Sequence, residues 1–196
     1  MKVAFWFEFA STYSYLSAMR LPEIAARRGI EIAWRPFLLG PIFAAQGLTS
    51  SPFSIYPVKG RYMWRDMARR ADALGLPFQK PAPFPQNGLL AARVATAALP
   101  GDAAIRFCQA VYQAKFAKGH DISDPKVITA CIQEAGLDAE IIDRAQSDTV
   151  KDALRATTAD ARNRGMFGAP SFTVGDELFW GDDRLEDALD WAVKHG

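Results

Sequence analysis

The chain has 196 residues and a mass of 21.6 kDa, which suits one domain of ordinary size or one domain carrying an insertion. Its formal net charge is +1, without the basic excess that a nucleic-acid-binding protein needs to neutralise phosphates. Hydrophobic residues make up 49%, which is enough for a core and argues against disorder. The first apolar run ends at Glu8 and no later segment approaches ~20 apolar residues, so we expect no signal peptide, no membrane span and a cytoplasmic protein.

The first forty or so residues have the pattern of a strand–helix–strand unit. Residues 3–9 are apolar at nearly every position, which predicts a strand covered on both faces. Ser11 and Thr12 offer N-cap chemistry for a helix that Gly29 is expected to end, and Pro22 is expected to kink or restart that helix. Residues 30–37 alternate and predict a second strand. This opening is a βαβ unit.

A helical stretch without strand signals occupies the middle of the chain. Its pattern predicts helices over residues 58–74, 88–99, 102–118 and 124–135, and a further helical stretch over 138–163. In the first of these, the predicted apolar side consists of Tyr62, Met63, Met67 and Leu74. The segment "LPFQKPAPFPQN" holds four prolines in nine residues and must be extended.

Cysteine and histidine usage excludes several kinds of site. Cys108 and Cys131 form no CxxC motif and lie in apolar helical patterns, so we interpret them as buried core thiols. A G-x-S-x-G motif is absent, and the two histidines, His120 and His195, lie in a loop and at the C-terminus, so a serine hydrolase is disfavoured. No His, Asp and Glu cluster has ligand spacing, and we expect no metal site.

Strand signals return only near the C-terminus. Residues 171–174 and 177–180 flank Gly175-Asp176, a two-residue hairpin signal, and residues 184–194 have helical spacing. The order is therefore βαβ, a helical block, then ββα. We predict a thioredoxin-like α/β fold split by a helical insertion, with residues 1–40 and 165–196 in the thioredoxin-like domain and residues 41–164 in the insertion.

The proline before the third strand is a candidate for a ligand-binding turn. In thioredoxin-like folds a cis-proline precedes the returning strand, so we predict a cis Ala169–Pro170 bond. Such a turn leaves the backbone of Ala169 free to pair with an extended peptide, and the tripeptide glutathione fits that description. The alternative is a plain tight turn.

Ser11 occupies the position that carries the reactive cysteine in redox members of this fold class. A serine cannot perform thiol–disulfide exchange, but its hydroxyl at a helix N-terminus can donate a hydrogen bond to the thiolate of a ligand. Spacing alone favours a simpler role, in which Ser11 only caps its helix. Asp182 and Asp183 likewise either cap the last helix or accept from the ammonium of a γ-glutamyl group.

A basic run, "KGRYMWRDMARR", opens the helix predicted over residues 58–74. Arg61, Arg65 and Arg69 are spaced at i, i+4 and i+8, and we interpret this stripe as a solvated face with Asp66 pairing locally. Lys59 stands apart at a proline-bounded entry, where we expect it to contact an anionic group.

Four segments together resemble one family. The segments are "EFASTYSYLS", "PVKGRYMWRDMARRA", "FPQN" and "GMFGAPSFTVGDELFWGDDRL". With them the chain resembles the 2-hydroxychromene-2-carboxylate isomerases and the related kappa-class glutathione transferases, in the DsbA-like branch of the thioredoxin superfamily. The resemblance covers essentially the whole chain. It departs from the family at Thr12, where the family often has Pro, and at Ser50, where it often has Asn.

The resemblance implies a glutathione-dependent cis–trans isomerase that acts on a ring-opened aromatic 2-oxo acid in aromatic-compound catabolism. It implies that Ser11 activates the glutathione sulfur and that Lys59 contacts a carboxylate of glutathione or substrate. It also implies that Asn87 faces the substrate, although Asn87 equally suits a cap of the following helix. The remaining implied glutathione contacts are Ser50, Ala169, Pro170, Trp180, Gly181, Asp182 and Asp183.

Two other functions remain open at this point. One is a kappa-type transferase or peroxidase that consumes glutathione, and the other is a non-enzymatic peptide-binding protein of the same fold. Members of the family are commonly dimers, so the resemblance implies a homodimer, although the sequence marks no interface.

Overall fold

The computed structural model describes residues 1–195, which form four strands and ten α-helices. The opening unit is β1 (Lys2–Phe7), α1 (Thr12–Arg28) and β2 (Glu31–Pro36). The helical block is α2 (Leu39–Ala45), α3 (Pro52–Ile55), α4 (Pro57–Ala73), α5 (Leu89–Ala98), α6 (Asp102–Phe116), α7 (Pro125–Ala135), α8 (Ile141–Ala145) and α9 (Asp148–Asn163). The chain then forms β3 (Ser171–Val174), β4 (Glu177–Trp180), a 3₁₀ turn (Asp182–Arg184) and α10 (Leu185–His195). The predicted order of elements is confirmed.

The four strands form one sheet in the order β2-β1-β3-β4. β1 runs parallel to β2 and antiparallel to β3, which in turn pairs antiparallel with β4. In the β1–β3 register Trp6 lies opposite Ser171. Because the two strands run in opposite directions, the loop that follows β1 and the turn that precedes β3 meet at the same end of the sheet.

Aromatic side chains of the two central strands build the core. Phe5 stacks on Phe7 and Phe172 with ring centroids 5.2 and 5.4 Å apart, and meets Trp34 of β2 edge-on at 4.9 Å. On the opposite face of β1, Trp6 is buried and its indole N–H donates to the Thr173 hydroxyl at 3.0 Å. The prediction that β1 is covered on both faces is confirmed.

The first helix continues through its proline. Pro22 lies inside α1, so the expectation that the helix would restart there is wrong. Pro22 has no N–H to donate to the carbonyl of Ala18 one turn earlier. Gln109 of α6 donates its side-chain amide to that carbonyl at 3.0 Å instead. Gly29 ends the helix in the left-handed conformation, as predicted (φ 64°).

Other helix predictions need smaller corrections. The stretch predicted over residues 138–163 is two helices, because Ser147 interrupts it and caps α9 through the N–H of Val150. The short helices α2 and α3 were not predicted. Tyr62 and Leu74 are exposed, so their assignment to the apolar side of α4 is wrong, whereas Met63 and Met67 are fully buried.

The helical block and the sheet share one hydrophobic core. Phe9, just after β1, contacts Phe107 and Tyr112 of α6 with ring centroids 6.4 and 5.2 Å apart. Cys108 and Cys131 are both buried, which confirms their interpretation as core thiols. The division into two domains at residues 40 and 165 stays a prediction. Within residues 1–195, no helix combines the length and apolar character that crossing a bilayer needs.

A buried ion cluster joins α1, α4 and the turn before α10. The carboxylate of Asp182 is 1% exposed and accepts from Arg20 of α1 at 3.1 Å and from Arg70 of α4 at 2.5 Å. The Ser17 hydroxyl donates to the same carboxylate at 2.8 Å. Hydrogen bonds therefore satisfy a charge that would be costly to bury alone.

We predict that Asp182→Asn destabilises the fold by about 3 kcal/mol, because it leaves two arginine side chains facing a neutral group in a mostly buried site. Asp183→Asn is the matched control, because the carboxylate of Asp183 is exposed although it is the next residue in the chain. This substitution should change the free energy of unfolding by less than about 0.5 kcal/mol. Urea unfolding of both variants measures the difference. Equal effects of the two substitutions would contradict a stabilising role for the cluster.

Candidate active site

Ser11 lies between β1 and α1, and its hydroxyl has two partners. Oγ accepts a hydrogen bond from the backbone N–H of Ser14 at 3.3 Å, so Ser11 caps α1. The same hydroxyl donates to the carbonyl oxygen of Ala169 at 2.8 Å. The capping interpretation is confirmed, and the hydroxyl also joins the helix N-terminus to the turn before β3.

The turn before β3 is held between Ser11 and the end of β4. The Ala169–Pro170 peptide bond is cis. The backbone N–H of Gly181 donates to the carbonyl of Pro170 at 2.9 Å. Ser171 closes the turn by donating its hydroxyl to the carbonyl of Gly168 at 2.9 Å. Ser11 near the N-terminus and the Ala169–Pro170 turn near the C-terminus, both predicted to belong to the site, thus lie side by side.

Two exposed aromatic side chains flank this turn. Trp180 is 51% exposed and its ring lies 4.7 Å from that of Phe167, which is also exposed. A Cβ at Gly168 would collide with the Trp180 indole, so this glycine permits the close approach of ring and backbone. Phe167 is absent from the predicted set. Its place directly before the Gly-Ala-Pro turn is the signal that could have identified it.

The two aspartates after Gly181 have different environments. The oxygens of Asp182 are engaged in the ion cluster with Arg20 and Arg70. The carboxylate of Asp183 is 56% exposed, with Arg184 at 3.6 Å. Neither side chain caps the turn, whose N-cap is Gly181, so the capping alternative for these residues is wrong.

Helix α4 packs its first half against the start of α1. Thr12 donates its hydroxyl to the Met63 sulfur at 3.3 Å, and Tyr13 donates its own to Asp66 at 2.8 Å. Lys59 precedes Met63 by one helical turn and therefore lies on the same side of α4. The Lys59 ammonium is exposed and lies 5.7 Å from the Phe53 ring, and none of residues 1–195 offers it a carboxylate partner.

The arginine stripe on α4 is a solvated face. Arg61, Arg65 and Arg69 are exposed, and Arg69 pairs locally with Asp66 at 3.2 Å. The interpretation of this stripe is therefore confirmed.

Ser50 and Asn87 lie in loops on either side of α4. Ser50 is half-buried between α2 and α3, where its hydroxyl has no hydrogen-bond partner among the described residues. Asn87 accepts from the N–H of Leu89 at 2.9 Å, which supports its alternative role at the start of α5.

A buried lysine and a half-buried glutamate near the end of β1 were not predicted. The ammonium of Lys115 is fully buried and donates to the carbonyl of Phe9 at 3.1 Å. Burial lowers the pKa of Lys115 to about 8, partly opposed by the negative charges of Glu8 and Asp121. Burial raises the pKa of Glu8, partly opposed by Lys115. A lysine within an amphipathic helix is normally assigned to solvent, so the sequence carries no clear signal for this pair.

Comparisons with known proteins show the family of the chain. Residues 2–191 match the model of the DSBA-like thioredoxin domain family. A 2-hydroxychromene-2-carboxylate isomerase of Sphingobium xenophagum is 33% identical over 186 residues, 94% of either chain. The human glutathione S-transferase kappa 1 is 26% identical over 94% of this chain and 87% of its own.

Among solved structures, a 2-hydroxychromene-2-carboxylate isomerase superposes with a TM-score of 0.88 at 26% identity, over 99% of this chain and 95% of that one. The likeness thus extends over nearly the whole chain in sequence and in structure. The chain belongs to the DSBA-like thioredoxin family and, within it, to the 2-hydroxychromene-2-carboxylate isomerases.

Proposed function

We propose that this protein is a glutathione-dependent cis–trans isomerase of an aromatic 2-oxo acid, of the type that converts 2-hydroxychromene-2-carboxylate to trans-o-hydroxybenzylidenepyruvate. One observation carries the proposal: the Ser11 hydroxyl, at the N-terminus of α1, lies in hydrogen-bond contact with the turn at Ala169. Bound glutathione would supply a thiolate that adds to the side-chain double bond of the substrate and so converts it to a single bond. After rotation about that single bond, elimination of the thiolate would re-form the double bond in the trans geometry.

The thiolate has to come from a ligand, because the chain's own thiols are unsuited to the task. Burial raises the pKa of Cys131 to about 11 and that of Cys108 still further. At neutral pH both are therefore protonated core groups. Ser11 can instead donate its hydroxyl to a guest sulfur, with added stabilisation from the helix N-terminus.

The donors and acceptors around Ser11 fit glutathione. If the Ser11 hydroxyl turns towards a sulfur, the Ala169 carbonyl becomes free to accept from the backbone N–H of an extended peptide beside Pro170. Gly181 has φ 111°, and a side chain there would crowd the Asp183 carboxylate. That carboxylate is exposed and suits the γ-glutamyl ammonium. We assign Trp180 to the wall of the same pocket.

The remaining predicted residues receive less direct roles. Lys59 is free to bind a carboxylate of glutathione or substrate, and the Ser50 hydroxyl is a further candidate contact. Asp182 acts through its arginine partners and holds the turn at Gly181 in place. We also assign Asn87 to the substrate side of the site. Its side-chain oxygen accepts from the N–H of Leu89 at the start of α5, which leaves its amide NH₂ group free to donate to a substrate.

A kappa-type transferase is the second candidate function. It is favoured by the likeness to the human kappa transferase over nearly the full chain. If this function is correct, a mixture of the protein, glutathione and 1-chloro-2,4-dinitrobenzene should accumulate the glutathione conjugate. The chromene acid, incubated with the protein and glutathione, should then remain unchanged. A non-enzymatic peptide-binding role requires that Ser11→Ala leaves every activity intact.

We expect Ser11→Ala to remove about 2–4 kcal/mol of transition-state stabilisation, because it deletes the hydroxyl that we assign to the sulfur. The ultraviolet assay of chromene-acid isomerisation, with and without glutathione, measures this loss. Glutathione affinity, measured by calorimetry, should fall much less.

Ser147→Ala is the matched control, because Ser147 is also a helix N-cap but lies at the start of α9, outside the proposed site. The Ser147→Ala variant should lose the stability that the N-cap gives to α9 but keep its isomerase activity. An active Ser11→Ala enzyme would contradict the proposed role of Ser11. Absence of glutathione binding to the wild type would exclude both enzymatic functions.

We expect Lys59→Met to raise the KM for the oxo acid or for glutathione about tenfold, as for the loss of one charge-assisted hydrogen bond. Lys126→Met is the control, since Lys126 is another exposed lysine that follows a proline in the first turn of a helix. Steady-state kinetics with each substrate varied in turn decides which carboxylate Lys59 binds. An unchanged KM for both would remove Lys59 from the site.

A further inference from the structure

Tyr13 lies two residues after Ser11 and reaches α4, the helix that carries Lys59. Its hydroxyl donates to the Asp66 carboxylate at 2.8 Å. Asp66 follows Lys59 by seven residues, which is two turns of the helix, so both side chains project from the same side of α4. This hydrogen bond therefore joins the segment of Ser11 to the face of α4 that presents Lys59.

The bond to Asp66 is stronger than the hydrogen bond that Thr12 makes to α4. A carboxylate acceptor makes a hydrogen bond roughly twice as strong as a neutral one, whereas the Met63 sulfur, which accepts from Thr12 at 3.3 Å, is a weak acceptor. Burial and the neighbouring carboxylate raise the pKa of the Tyr13 hydroxyl, so it stays protonated and remains a donor. The second oxygen of Asp66 accepts from Arg69 of the same helix at 3.2 Å, which fixes the direction of the carboxylate.

The ring of Tyr13 makes a second connection to Lys59, through Phe53 of α3. The rings of Tyr13 and Phe53 lie 6.5 Å apart, and the Lys59 ammonium lies 5.7 Å from the Phe53 ring. A Cβ at Gly60 would collide with the backbone carbonyl of Phe53, so this glycine lets α3 pack directly against the start of α4. Tyr13 is thus linked to Lys59 both along α4 and through the ring of Phe53.

We propose that Tyr13 is a positioning residue that holds the Lys59 ammonium at a fixed distance from the Ser11 hydroxyl. The proposal rests on the proposed function, in which Ser11 binds the glutathione sulfur and Lys59 binds a carboxylate. Addition of a thiolate to a double bond needs the two partners in one geometry, so the separation of the sulfur site from the carboxylate site has to be constant. Because Ser11 caps α1 and Lys59 lies in α4, this separation depends on how the two helices are joined.

Tyr13→Phe tests this role because it removes only the hydroxyl and keeps the ring. We expect it to raise about threefold the KM that Lys59→Met raises, since the ammonium is displaced rather than deleted, and to change kcat by less than about twofold. Ser11 keeps its own bonds to Ser14 and Ala169, which is why kcat should be nearly unaffected. Steady-state kinetics with glutathione and the oxo acid varied in turn measures both parameters.

Tyr15→Phe is the matched control. Tyr15 lies on the same helix, and its hydroxyl donates to the carbonyl of Pro77, in the loop after the far end of α4, at 2.7 Å. Both variants lose one tyrosine hydrogen bond, so urea unfolding should show similar losses of stability. Tyr15→Phe should leave both KM values unchanged, because its bond does not involve the start of α4. Equal KM values for the two variants would show a purely structural role for Tyr13 and overturn the proposal.

A double-mutant cycle with Lys59→Met shows whether Tyr13 acts through Lys59. If it does, Tyr13→Phe should raise the KM no further in the Lys59→Met background, because no ammonium is left to displace. A further rise of the same size in that background would mean that Tyr13 acts independently of Lys59, which would overturn the proposal.

Two substitutions of Asp66 separate the hydrogen bond from the charge. Asp66→Ala removes the acceptor and should raise the KM as Tyr13→Phe does, whereas Asp66→Asn keeps an acceptor oxygen and should stay closer to the wild type. Equal effects of the two substitutions would make the charge responsible and overturn the positioning role. If circular dichroism shows that Tyr13→Phe is unfolded, this pair of variants decides alone.

Calorimetry with glutathione distinguishes failure of this inference from failure of the proposed function. If the wild type binds glutathione and Lys59→Met raises a KM that Tyr13→Phe leaves unchanged, only the role of Tyr13 is overturned. If the wild type binds no glutathione, the proposed function is overturned as well.

Discussion

The antiparallel pairing of β1 with β3 is the constraint on which the site depends. It places the loop after β1 beside the turn before β3, so a hydroxyl near one end of the chain reaches a carbonyl near the other. A one-residue slip in this pairing would turn the buried aromatic side chains of both strands to the wrong face. The stacking of Phe5 on Phe172 fixes the register and therefore also the contact between Ser11 and Ala169.

The proposed site combines accessible groups with buried ones that hold them in place. Ser11, Ala169 and Asp183, the proposed glutathione contacts, are at least partly accessible, whereas the carboxylate of Asp182 is buried. Asp182 supports the accessible groups because its arginine partners hold the turn at Gly181. This division suits chemistry in which the reactive sulfur belongs to a guest and the protein supplies its surroundings.

Much of the fold could be predicted because its signals are local. The hairpin at Gly175-Asp176, the cap at Ser11 and the stop at Gly29 each depend on neighbouring residues. The buried charges depend on partners far along the chain: Asp182 meets Arg70 across 112 residues and Arg20 across 162. The prediction for Tyr62 was wrong because the buried stripe of α4 consists of Gly60, Met63, Met67 and Ala71. Such choices are made by packing rather than by periodicity.

The hydrogen bond from Gln109 to Ala18 has a consequence for how the molecule unfolds. It satisfies, from α6, a backbone carbonyl that Pro22 leaves without its usual partner within α1. If the helical block came away from the βαβ unit, this carbonyl would lose its partner, and the apolar surfaces that α1 and α6 bury against each other would be exposed to water. Separation would therefore cost free energy on both sides of the contact, and we expect the two parts to unfold together.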